Sequence, residues 1–290
     1  MSRTARKLVI PMIAAAVVLA LTACGSSTAA GTIDAKGDSV KAGALPGEHV
    51  HVVARNPGDG KVYLATHHGL YRYDKGNPVL VGPEVDYMGF SVAGPGHFYA
   101  SGHPADGVDL PAPVGLMESV DAGKTWSVKS LGGEADFHAL TSSSKGILGY
   151  DGTLMTSVDG KSWSKGSITA PPSCLAAAPD GSKTLATTES GVLLSTDQGA
   201  TWAPLTSAPK LLTAAWADNT TAAGITPTGA IAITTDAGAT WTTGKAKVDS
   251  IQSISASRTT SGNLEVLVVT NTAVQRSLDS GATLTPLGTN

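Results

Sequence analysis

One eight-residue pattern recurs along this chain, and it constrains the fold more than any other feature. Ser119–Trp126 reads SVDAGKTW, Ser195–Trp202 reads STDQGATW and Thr234–Trp241 reads TTDAGATW. Ser157–Trp163, SVDGKSW, is one residue shorter, and Ser277–Leu284, SLDSGATL, ends in leucine instead of tryptophan. The aspartates Asp121, Asp159, Asp197, Asp236 and Asp279 stand 38, 38, 39 and 43 residues apart, and a degenerate sixth copy around Asp74 lies 47 residues before Asp121. A fixed period near 40 residues is the mark of a repeat architecture, in which each copy is one supersecondary unit.

Within each period four short Val/Ile/Leu/Thr-rich runs alternate with turn residues. Leu175–Ala178, Thr184–Thr188, Val192–Ser195 and Thr201–Leu205 are one such set, separated by Pro179-Asp180-Gly181 and Glu189-Ser190-Gly191. The first period gives His49–Ala54, Val62–Thr66, Leu70–Tyr73 and Val79–Val81. Six four-stranded units over residues 48–290 predict an all-β protein, a six-bladed β-propeller. The 34 glycines and the low aromatic content of 5% suit a chain of short strands and tight turns.

The recurrent motif reads as the turn between third and fourth strands. Its aspartate accepts backbone amides, its glycine takes positive φ, and its tryptophan supplies apolar area for packing at the blade edge. One carboxylate per turn is far from the six to eight oxygens that calcium takes, so Asp74, Asp121, Asp159, Asp197, Asp236 and Asp279 are assigned structural roles.

The first 24 residues read as an export signal. Arg3, Arg6 and Lys7 precede an apolar run, Leu8–Ala20, too short to span a bilayer comfortably. The run ends in Leu21-Thr22-Ala23-Cys24, which resembles the bacterial lipoprotein box. That resemblance implies removal of residues 1–23, lipidation of Cys24 and anchoring to the outer face of the cell membrane. Residues 24–47 are small, polar and aperiodic and read as a tether, with 32–47 the weak candidate for an extra strand on the last blade. Lipidation leaves Cys174 without a disulfide partner. The mature chain carries 17 basic against 23 acidic residues and no basic run, which argues against nucleic acid as a partner. A monomer is expected.

The pattern S-x-D-x-G-x-T-W resembles the Asp-box, or BNR, repeat of sialidases, sortilin-type propellers and photosystem II assembly-factor propellers. The resemblance implies that these turns lie on the blade rim, away from any ligand. The segments THHGL, MGF, SGHP, GLMES, GEADFHAL and GYDG, within residues 48–165, together resemble bacterial lipoproteins described as glycosylhydrolase-like BNR proteins.

Function has to be sought where the repeat breaks. All seven histidines fall between residues 49 and 138. Propeller topology sends His49, His51, His67, His68, His103 and His138 to the axial mouth opposite the repeated turns, with His49, His51 and His138 the first-choice ligands and His67, His68 and His103 next, and it sends His97 to the other face. Asp86, Glu134, Asp136 and Asp151 can join the six. Neutral imidazoles with carboxylates suit a transition metal, zinc or copper foremost, or a ligand bound through one. Cys174 is either a soft extra ligand or, by preference, a small buried hydrophobe. The long connection Ala105–Pro113 is either a lid over the mouth or a surface insertion.

Two other functions compete with metal binding. A glycoside hydrolase needs two carboxylates, for which Glu134 or Asp136 as acid and Asp86 or Asp151 as base are the weak candidates. A sialidase is disfavoured, because Arg55, Arg72, Arg258 and Arg276, the only arginines after the leader, are not placed for a triad at the mouth. A protein-interaction scaffold would instead present an exposed apolar patch.

Overall fold

The computed structural model describes residues 42–47, 49–74 and 76–288. The export signal and Cys24 lie outside the described residues. Blade one contains β1 (Val50–Arg55), β2 (Val62–Thr66), β3 (Gly69–Asp74) and β4 (Asn77–Val81). Blade two contains β5 (Val85–Gly94), β6 (His97–Pro104), β7 (Leu116–Ser119) and β8 (Ser127–Ser130). Blade three contains β9 (Ala139–Ser143), β10 (Gly146–Tyr150), β11 (Leu154–Ser157) and β12 (Ser164–Lys165). In blade four are β13 (Cys174–Ala177), β14 (Thr184–Thr188), β15 (Gly191–Ser195) and β16 (Ala203–Pro204). Blade five has β17 (Thr213–Trp216), β18 (Ala222–Ile225), β19 (Ala230–Thr234) and β20 (Thr242–Lys247). Blade six has β21 (Ile251–Arg258), β22 (Leu264–Thr270), β23 (Val274–Ser277) and β24 (Thr285–Pro286).

Each sheet is an antiparallel meander in sequence order, and the six form a six-bladed β-propeller. The innermost strands β1, β5, β9, β13, β17 and β21 contact one another in turn, and β21 returns to β1. They carry small and hydroxylated residues, which leaves an axial cavity of about 680 Å³. Second strands are sandwiched between blades, so β2, β14 and β22 are buried along their whole length and read as continuous apolar or Thr-rich runs.

The core is divided among the seams between blades. Tyr63 and Leu70 of blade one meet Tyr87 and Phe98 of blade two, and Leu116 meets Phe137 and Ile147 at the next seam. The tryptophan of each repeated turn packs into the seam with the preceding blade: Trp126 at one–two, Trp163 at two–three, Trp202 at three–four and Trp241 at four–five. Leu284 takes that place at five–six. At the remaining seam, six–one, no tryptophan or leucine of a repeated turn is found among the described residues. Leu45 fills it, packed with Tyr73, Val274 and Leu287.

Leu45 is held there by its neighbours. Gly43 donates its N–H to Leu287 O at 2.8 Å and accepts from Val274 N at 2.9 Å, while the Tyr73 hydroxyl donates to Ala44 O. Gly43 has φ +74°, and a Cβ there would stand 2.6 Å from Val274 O. The end of the expected tether is thus docked on blade six, although the blade keeps its four strands.

The repeated turn is closed by its own side chains. Ser195 donates its hydroxyl to Asp197 Oδ1 (2.8 Å) and accepts the N–H of Gly199 (2.8 Å). Asp197 accepts the N–H and hydroxyl of Thr201 at 2.9 and 2.6 Å. Bonds of the same pattern recur around Asp121, Asp236 and Asp279. The shorter turn at Asp159 accepts Lys161 N and Ser162 N instead. Hydrogen bonds from Thr201, Thr240 and Thr283 pull the carboxyls of Asp197, Asp236 and Asp279 down to about 2. Asp74 departs from the expected pattern. Its hairpin joins β3 directly to β4, and its carboxylate pairs with Lys61 Nζ at 2.9 Å.

Candidate functional site

Three histidines gather at one mouth of the axial cavity. His49 precedes β1, His51 lies on it, and His67 sits in the β2–β3 turn. The β1–β2 register slips between Val50 and Val52, so His51 is the extra residue of a bulge, a device that re-aims a side chain. The His51 ring lies 4.3 Å from that of His67 and 4.8 Å from that of His49, edge-on to both. One ligand nitrogen from each of the three lies within 4.8 Å of the others.

Blade two supplies the counter-charge. Asp86, at the foot of β5, places Oδ2 2.9 Å from His67 Nδ1 and Oδ1 3.2 Å from His51 Nε2. Burial, followed by the nearby His67, pushes the His51 pKa down to about 4 despite the opposing pull of Asp86. The same two causes lower that of His49. Both shifts favour the neutral imidazole, the form that can ligate a metal.

A second group lies beside the first. Asp136 Oδ2 is 3.0 Å from His103 Nε2 and 2.8 Å from His138 Nε2. Between Asp136 and His138, Phe137 is fully buried and its N–H donates to Ser101 Oγ at 2.9 Å. That anchor turns both flanking side chains toward the mouth, since alternate residues of an extended segment share a face. Asp86 and His103 are direct partners in the β5–β6 register.

The six histidines expected at one mouth thus divide. His49, His51 and His67 form one group, His103 and His138 another, and His68 joins neither. It is exposed on the β2–β3 turn, where its backbone N–H is held by Thr66 Oγ1 at 3.1 Å. His97 pairs elsewhere, with Glu118 at 2.8 Å. Cys174 donates its thiol to Ala214 O at 3.4 Å, and burial raises its pKa. It behaves as a channel-wall residue and not as a thiolate ligand.

Of the four candidate carboxylates, Asp86 and Asp136 are committed to histidines. Glu134 and Asp151 line a separate cavity of about 400 Å³ with Asp136, His138 and Tyr150. Asp151 Oδ1 accepts the N–H of Thr153 at 3.2 Å, a local turn contact. The Ala105–Pro113 connection is pinned at both ends, through Ala105 N to Glu84 O and Gly133 N to Pro113 O. Leu110 is packed on the one–two core, so the segment is a folded surface insertion rather than a free lid.

The arginines are occupied away from this mouth. Arg55 binds Glu265, Arg258 binds Asp218 at 2.6 Å, and Arg72 and Arg276 lie near Asp74 and Glu265. No arginine triad faces the histidines among the described residues.

These features define a closed six-bladed propeller with a histidine–carboxylate mouth on blades one to three. Solved structures with the same fold include the Niastella koreensis GH74 enzyme, at 19% identity and a TM-score of 0.56, over 82% of this chain and 37% of that one. YCF48 from Cyanidioschyzon merolae aligns at 12% identity and TM-score 0.52, over 81% of this chain and 96% of that one. A structure of YCF48 bound to D1 peptide aligns at 16% identity and TM-score 0.51, over 84% of each chain. The chain spans little more than a third of the GH74 enzyme. No family model and no curated protein matches the sequence.

Proposed function

We propose that this protein is a lipid-anchored extracytoplasmic propeller that binds a transition-metal ion, zinc or copper, through His49, His51 and His67, with Asp86 as fourth ligand or orienting carboxylate. The observation that carries the reading is the convergence of three imidazole nitrogens within 4.8 Å. A tetrahedral centre with metal–nitrogen bonds of about 2.0–2.1 Å has ligand–ligand edges of roughly 3.3 Å. The His51–His67 separation of 3.2 Å already matches such an edge. His49 and His67 are exposed, and no cysteine belongs to the group among the described residues. Both features favour an open site, able to hold a further ligand, over a closed structural one. The charged leader and Cys24 support placement outside the cytoplasm. The repeated turns, read as Asp-boxes, serve as scaffold.

The test is elemental analysis of the mature protein, purified without an affinity tag and exposed to zinc or copper before dialysis. Stoichiometric metal is expected, and the joint substitution of His51 and His67 by alanine removes it from this site. Absence of bound metal from the wild type, with melting unchanged by added ion, overturns the reading.

A glycoside hydrolase is the second reading, supported by the separate cavity that Glu134, Asp136 and Asp151 line and by the fold shared with a GH74 enzyme. Assay against a panel of β-glucans tests it. Activity that disappears in Asp136→Asn supports it, and inactivity across the panel removes it.

A further inference from the structure

We infer that Gln252, on blade six, is a positioning residue for the metal site, holding His49 and His51 in place through the backbone of Val50. The inference rests on the metal reading above and concerns how that same site is held. Val50 stands between the two ligands, and its N–H donates to Gln252 Oε1 at 2.8 Å, across 202 residues of sequence. Its side chain is fully buried in the six–one seam with Leu267, Val269 and Val274. Val50 is therefore pinned twice, once by packing and once by the amide. Residues on either side of a pinned point in an extended chain project together to the opposite face. The His49 and His51 rings accordingly stand 4.8 Å apart.

The need for this anchor follows from topology. β1 is the inner edge of its sheet and pairs with β2. An edge strand leaves alternate N–H groups unpaired by its own sheet, and a buried one has to find an acceptor elsewhere. Blade six supplies two, Gln252 Oε1 for Val50 and Ser253 Oγ for Val53, the latter at 3.0 Å. Gln252 is the extra residue of a bulge in β21, where the register with β22 slips between Ile251 and Ser253. His51 occupies the corresponding bulge of β1. The amide is itself oriented. Its Nε2 donates to Asn271 Oδ1 at 3.0 Å, which turns Oε1 to Val50, and Asn271 N donates to Ser250 O at 3.1 Å.

The two anchors are alike in kind and differ in what they flank. Both join β21 to β1 at the six–one seam, but Val50 has a ligand on each side and Val53 has none. Loss of the Ser253 hydroxyl therefore weakens the seam alone. Loss of the Gln252 carbonyl also lets Val50 turn toward water, and both rings turn with it. The cost falls on metal affinity, because the ligand nitrogens no longer meet.

The test compares the tag-free mature protein with Gln252→Met, which removes the acceptor at nearly constant size, Gln252→Glu, which keeps it, and Ser253→Ala. Zinc affinity is read by competition with a chromophoric chelator. Nuclear Overhauser contacts between the His51 and His67 rings, 4.3 Å apart, are read without metal. Gln252→Met should lose the ring contact and weaken zinc about 10–100-fold, the usual effect of losing a residue that orients histidine ligands from outside the coordination shell. Asn271→Ala, which leaves the amide unoriented, should show a milder form of both losses and serves if Gln252→Met does not fold. Gln252→Glu should restore both, and Ser253→Ala should leave both near wild type. Unchanged affinity in Gln252→Met, or an equal loss in Ser253→Ala, overturns the inference. A wild type that takes up no zinc overturns the metal reading instead, and the ring contact then decides this one. Lost in Gln252→Met but not in Ser253→Ala, it upholds the anchor; kept in Gln252→Met, it removes it.

Discussion

Arg55 of blade one and Glu265 of blade six are joined across the closing seam of the ring, with Arg55 Nη2 2.7 Å from Glu265 Oε1 and the Nε contact shorter still. Glu265 is only 2% exposed and also accepts from Ser257 at 3.2 Å. Breaking such a pair from one side leaves a buried charge without its partner. Arg55→Met should destabilise the protein by about 3–5 kcal/mol, read as a lower urea midpoint. Adding Glu265→Leu should recover part of that loss, because it removes the buried carboxylate but also takes the 4.0 Å contact from Arg276. A double variant as unstable as the single would show that the carboxylate is not the cause.

The turn hydroxyls are the next test. Ser195 is 1% exposed, and its oxygen is the acceptor for the N–H of Gly199. Ser195→Ala leaves that donor buried and unsatisfied, at a cost of about 1–3 kcal/mol. Thr234 makes the same two bonds in blade five, so Ser195→Thr should stay close to wild type in the same denaturation experiment.

Two glycines of similar, positive φ should respond unequally to alanine. Gly281 and Gly238 have φ +79° and +93°, so each carries the left-handed penalty, about 1 kcal/mol. A Cβ at Gly281 would meet Ile231 Cβ at 2.9 Å, whereas at Gly238 the nearest atom is Leu205 Cδ2 at 3.5 Å. Gly281→Ala should cost about 1–3 kcal/mol more than Gly238→Ala, from overpacking at the five–six seam. Thermal melts of the two variants compare them directly.

Acid should weaken the fold in a defined window. The carboxyls of Asp197, Asp236 and Asp279 sit at about 2 in the folded chain against 3.8 ordinarily, and those of Asp121 and Asp159 are also lowered. A depressed acid binds fewer protons folded than unfolded, so its contribution is complete above about pH 4 and lost as pH falls through 2. Urea midpoints should fall steeply between those values. In Asp197→Asn the drop should be shallower, and the difference from wild type should shrink as pH approaches 2.

The fold was legible because its period is written in side chains that act locally. A serine, an aspartate and a glycine within five residues close a turn by themselves, so each copy announces a blade. The degenerate copy at Asp74 shows the limit: its aspartate lies in the expected place but answers Lys61. The site was legible only as a set of histidines on one face. Topology could send His51 and His67 to the same mouth, yet the bulge that aims His51 depends on how β1 registers against β2. The partition into two groups rests on Asp86 and Asp136, each reaching across a seam, and seams join residues that no local pattern connects. Leu45 in the six–one seam was hidden for the same reason. Its neighbours Val274 and Leu287 lie at the other end of the chain.

The order of strands within each sheet also has a kinetic meaning. Since every blade is four consecutive strands, nearly all pairing spans short loops, and the entropy of closing them is small. The meeting of β21 with β1 is the exception, because it joins the two ends of the propeller. Topology of this kind predicts quick, local formation of the blades and a slower, long-range closure of the ring.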